Sequence, residues 1–133
     1  MKNDRTVCIA DFGLSVTHTK STGELSNVPK SRVGTNRYMA PEVLDGTFEA
    51  DKFENHKMTD MYSFGLVMWE VSKRCTIDGI SEDYSLPYGD VVPSDPSIED
   101  MKKVVCTDGQ RPVISQRLTN LSLIHISEPT RPY

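Results

Sequence analysis

The chain has no apolar run long enough to cross a bilayer. Its most apolar stretch, Phe64 to Trp69, falls far short of the ~20 residues that a membrane helix needs. The start, Met1-Lys2-Asn3-Asp4-Arg5, leads into no apolar segment of signal-peptide length. There is no basic stripe interleaved with aromatics, and the net charge is −4, so nucleic acid is not an expected partner. Cysteine is scarce. Cys8, Cys75 and Cys106 are odd in number and far apart, which argues against a disulfide framework and fits a reducing, cytosolic setting. His18, His56 and His125 are equally scattered and form no zinc pattern with those thiols. The chain as written is expected to be soluble, with no internal repeat.

What is present is enough for one core: 37% of the 133 residues are hydrophobic. Thr6-Val7-Cys8-Ile9-Ala10 is β-branched and apolar and predicts a short buried strand. Ser15 to Ser31 is polar, rich in Ser and Thr and without periodicity, which predicts a loop. Pro41-Glu42-Val43-Leu44 predicts a short helix with proline at its first position. Lys52 to Lys57 reads as a polar connection, and Asp60 then opens a helix to about Arg74. Met61, Phe64, Leu66, Val67, Met68, Trp69 and Val71 lie on nearly every face of that helix, so it is expected to be buried all round, as a central post. Asp78 to Pro96 is a connection punctuated by glycine and proline. Asp95 as N-cap and Pro96 in the first turn predict a last helix carrying Ile98, Met101, Val104 and Val105 on one face, which ends before Asp108-Gly109.

Asp11-Phe12-Gly13 follows the predicted strand directly. A carboxylate at a strand end can reach a divalent ion, and Gly13 permits the turn that frees it. Alone, the tripeptide is weak, arising by chance about once per several thousand positions. Here it is followed, across the polar loop, by Gly34-Thr35-Asn36-Arg37-Tyr38-Met39-Ala40-Pro41-Glu42, and then by Asp60-Met61-Tyr62-Ser63-Phe64-Gly65 at the head of the apolar helix. That order and spacing resembles the activation segment of protein kinases and the helix that follows it in the large lobe. Arg32 to Asp45, Asp60 to Val71 with Arg74-Cys75, and Tyr84-Ser85-Leu86-Pro87-Tyr88 followed by Val91 to Ser97 resemble the TGF-β/BMP receptor serine/threonine kinases, the type I branch in particular.

The resemblance implies an α+β, protein-kinase-like fold: a mostly α-helical, incomplete C-terminal lobe over residues 1–117. It implies ATP and Mg2+ (or Mn2+) as cofactors of the complete kinase. Asp11 would hold the metal and Ala10 would line the nucleotide pocket. Thr35 would position the substrate loop, while Glu42, paired with an arginine late in the lobe, and Asp60, beneath the catalytic loop, would be structural supports. The implied partners are a second receptor serine/threonine kinase, a Smad-type protein substrate and an extracellular growth factor bound through other domains. The implied location is the cytoplasmic side of the plasma membrane, within a single-pass receptor.

The chain also departs from that pattern. No glycine-rich loop, phosphate-binding lysine or catalytic loop precedes Asp11, and phosphoryl transfer depends on such positioning parts. The 133 residues by themselves are therefore expected to be inactive. Residues 118–133, Leu118 to Tyr133, do not resemble a kinase and read as translated adaptor sequence, with a natural alternative ending as the other option. If three large apolar side chains of residues 60–74 were left uncovered, the loss would be ~1.5–3 kcal/mol each, and partial unfolding is expected. A second reading is a truncated, non-catalytic kinase-like protein that acts by binding, through the helix at Ser97 to Val105 and its neighbouring loop. A third, a pseudokinase, is disfavoured by the intact Asp11-Phe12-Gly13.

Overall fold

The computed structural model describes residues 6–29, 31–76, 79 and 82–115. Its described part is mixed helix with one small sheet. A 3-10 turn at Phe12–Leu14 leads into a hairpin, β1 (Thr17–His18) and β2 (Leu25–Ser26), paired antiparallel with Thr17 opposite Ser26 and His18 opposite Leu25. A second 3-10 turn, Asn36–Tyr38, precedes helix α1 (Pro41–Asp45); then come α2 (Phe53–Arg74) and α3 (Ile98–Lys102). A π-helical turn at Lys103–Thr107 extends α3.

The core lies where the short elements meet. Leu44 of α1, Met101 of α3, Val105 and Pro87 are fully buried, with Met39, Tyr88, Val92 and Val104 around them. α1 starts where Pro41 needs no hydrogen-bond acceptor for its nitrogen, and it stops at Gly46, whose left-handed backbone (φ 86°) carries no side-chain penalty. α3 is held at its start by a reciprocal capping box. The Asp100 amide donates to Ser97 Oγ at 3.1 Å and the Ser97 amide donates to Asp100 Oδ2 at 3.0 Å.

Several sequence expectations are corrected. No strand forms at 6–10. Val7 and Ile9 are exposed, and the one ladder among the described residues joins β1 to β2. The segment 15–31 is not wholly irregular, because it contains that hairpin. Lys52 to Lys57 is not a connection: α2 begins at Phe53, and its first turns are half-buried helix with a Lys57–Glu54 ion pair at 2.8 Å on the exposed side. The N-cap of α3 is Ser97, not Asp95, because the Pro96 carbonyl is drawn off to accept from Asn36 Nδ2 at 3.1 Å.

The largest correction concerns residues 60–74. They are helical, but in α2 only Leu66 is buried, while Met61 and Phe64 are 65% and 55% exposed. An all-apolar surface requires neighbours on every side, and the described residues cover one. The expected connection from Asp78 to Pro96 falls partly, and the expected tail from Leu118 wholly, outside the described residues.

Candidate functional site

The 3-10 turn after Thr35 is closed by the Tyr38 amide donating to the Thr35 carbonyl at 3.0 Å and the Met39 amide donating to the Asn36 carbonyl at 3.2 Å. Met39 and Ala40 then enter the core, so the turn is pinned from behind. From the front it is pinned to α2. Ser63 Oγ donates to the Tyr38 carbonyl at 2.8 Å, and the Tyr38 hydroxyl bonds to Glu70 Oε1. The Tyr84 hydroxyl reaches the other carboxylate oxygen of Glu70 at 3.3 Å. Burial, with the Glu70 carboxylate as acceptor, pushes the Tyr38 phenol well above its ordinary value, so Tyr38 keeps its proton and stays a donor.

Between this turn, the head of α2 and the roots of the hairpin lies a cavity of about 590 Å3. Thr35 and Asp60, on separate elements, line it together, and the lining also includes the apolar Leu14 and Val16 and the polar Tyr38 and Ser63. The hairpin stays close by because the His18 ring stacks on Phe53 at the start of α2, with centroids 4.8 Å apart and planes 16° from parallel. A hydroxyl and a carboxylate facing one concavity can serve the donors and acceptors of a peptide segment.

The remaining candidates lie elsewhere. Ala10 and Asp11 are exposed and do not line the cavity. Asp11 has a left-handed backbone (φ 63°), a conformation that aspartate tolerates better than most residues. Among the described residues no group of three or more His, Cys, Asp or Glu side chains could hold a metal ion. Magnesium asks for several oxygens in near-octahedral array, and Asp11 supplies one carboxylate, so these residues on their own do not fit such an ion. Glu42 is half-buried on α1, and its carboxylate forms no hydrogen bond or ion pair seen among the described residues. Sequence reasoning quoted Arg37, Ser63 and Glu70 only as parts of motifs and gave them no role. The signal for Arg37 was a charge set directly before the apolar Tyr38-Met39-Ala40.

Comparison with known proteins decides the family. A model described as protein kinase domain matches residues 1–86, more than half of the chain. The chain belongs to the protein kinase domain family. That family uses ATP and a divalent metal in general. Within it the similarity runs to type I receptors, as the segments around Thr35 and Asp60 led one to expect. The human TGF-beta receptor type-1 is 50% identical over 126 residues, covering 95% of this chain and 25% of the relative. The chicken activin receptor type-1 is 55% identical over 117 residues, covering 88% and 23%. The chain thus spans about a quarter of the length of the curated relatives it matches. No helix among its described residues is long and apolar enough to cross a membrane.

Proposed function

We propose that these residues are the activation segment and the following part of the large lobe of a receptor protein serine/threonine kinase. The complete protein transfers the γ-phosphate of ATP to serine or threonine of Smad-type signalling proteins, on the cytoplasmic side of the plasma membrane. Its partners are a second receptor kinase and, through its other domains, an extracellular growth factor of the TGF-β/BMP class. One observation supports this above the others. Thr35 of the segment ending in Ala-Pro-Glu and Asp60 of the following helix face one cavity, in a chain half identical to type I receptors along nearly its whole length.

In this reading the 3-10 turn at Thr35 presents the polypeptide substrate. Asp60 accepts hydrogen bonds from the catalytic-loop backbone, and Glu42 braces the end of the segment. Asp11 and Ala10 face the nucleotide, Asp11 as a magnesium ligand alongside donors that these residues do not include.

The test is phosphate transfer from ATP to a purified Smad-type protein, read by mass spectrometry. The complete protein encoded at this locus is expected to transfer phosphate, its Asp11→Asn variant to lose at least about a hundredfold, and the 133-residue polypeptide to transfer none. A complete protein that is inactive, or an Asp11→Asn variant as fast as the parent, overturns the reading.

A further inference from the structure

Arg37 is the one charged side chain buried among the described residues, at 3% exposure. Among the described residues no carboxylate forms an ion pair with its guanidinium. It donates instead to three backbone carbonyls of a distant loop: Nη1 to Pro87 at 2.8 Å, and Nη2 to Pro93 at 2.7 Å and to Ser94 at 2.8 Å. Next to it, Asn36 Nδ2 donates to Pro96 at 3.1 Å. Burying a charge is costly unless its donors are all used. A planar fork meets several fixed acceptors at once in a way that an ammonium group does not.

The loop thus gripped is a demanding one. Tyr88, buried at 3% exposure, holds a left-handed backbone at φ 60°, a conformation that persists only when its surroundings over-determine it. A side chain at Gly89 would meet the Leu86 carbonyl at 3.0 Å. Besides its own backbone hydrogen bonds, two side-chain ties hold the bend. Arg37 takes the Pro87 carbonyl immediately before it, and the Tyr88 hydroxyl sits 2.7 Å from that of Tyr62 on α2. The turn that begins at Thr35 and the loop 86–96 are therefore joined side chain to backbone, across 50 to 60 residues of chain.

We infer that Arg37 is a positioning residue that fixes the Thr35 turn, where the polypeptide substrate docks, by tying it to the loop 86–96. The substrate half of this statement rests on the kinase reading above, while the coupling half does not. Loss of the fork releases the loop and the turn together, and substrate docking weakens while nucleotide use is unaffected.

The experiment uses the complete protein with Arg37→Lys and Arg37→Met, measuring steady-state kinetics and amide hydrogen exchange. Both variants are expected to raise KM for the protein substrate about tenfold, with KM for ATP and kcat unchanged, and to speed exchange in residues 35–38 and 86–94 alike. Lysine keeps the charge but not the fork, so an Arg37→Lys variant that behaves as the parent overturns the proposal. So does a rise in both KM values together, or faster exchange in only one of the two segments. If Arg37→Met does not fold, Asn36→Ala removes one bond of the same clasp, and its exchange must still change in both segments. A parent protein that transfers no phosphate sinks the kinase reading, and the exchange result then decides the coupling by itself.

Discussion

Helices α1 and α3 are five residues long, and α2 has 22, yet the short helices are the better buried. Leu44 and Met101, one on each short helix, are fully enclosed, whereas α2 encloses Leu66 and leaves Met61, Phe64, Met68 and Val71 at half exposure or more. By hydrophobic content the ranking should be the reverse. Burial is set by what surrounds an element. α1 and α3 face each other, both meet the π-helical turn and α3 also meets the Asn36–Tyr38 turn, while α2 has that turn and Tyr88 on one side and, within the described residues, little on the other.

Truncation in the enclosed region gives the strongest test of that contrast. Leu44→Ala or Met101→Ala is expected to destabilise the chain by about 2–5 kcal/mol, the usual cost of emptying a packed core site, measured by urea denaturation. A loss no larger than that of a surface change would show that α1 and α3 are not packed as described.

The next effect concerns the start of α3. Ser97→Ala removes the acceptor for the Asp100 amide and should cost about 1 kcal/mol. The same change should flatten the acid limb of the stability curve. Hydrogen bonds from the Ser97 hydroxyl and amide hold the Asp100 carboxyl below its ordinary value of 3.8. A depressed carboxyl adds stability that is complete above the unfolded value and is lost as the pH falls through the lower, folded one. A Ser97→Ala protein with an unchanged acid limb would rule out the Ser97 hydroxyl as its source.

The smallest effect is the one that sharpens the comparison most. Phe64→Ser on α2 should change the stability of the 133-residue chain by no more than about 0.5 kcal/mol, and it should improve solubility. In the complete protein, where we propose that this face is covered, the same substitution should cost about 3 kcal/mol or more. Equal costs in the two settings would erase the difference between the regions.

Much of this could be read from the residues. Pro41 announced the start of α1, the spacing of Ile98, Met101, Val104 and Val105 announced α3, and three motifs in order announced the family. What was hidden was set by tertiary partners or lay in polar sequence. The run 53–59 is helical without an apolar stripe, so periodicity could not show it. β1 and β2 are two residues each, too short to show an alternating pattern, and a ring of β1 is stacked on Phe53. The β-branched run at 6–10 has strand chemistry, but a strand is made by the ladder beside it. Of the candidate residues, Thr35 and Asp60 were found by motif and share a cavity. Arg37 was passed over because a buried arginine answered by carbonyls leaves no opposite charge nearby to reveal it.

Trp69 is the chain's single tryptophan, and its indole nitrogen donates to the Val113 carbonyl at 2.9 Å. The indole on α2 is thereby wired to irregular backbone 44 residues downstream. Its emission colour is a built-in optical gauge of whether the segment after the π-helical turn is seated or has peeled away.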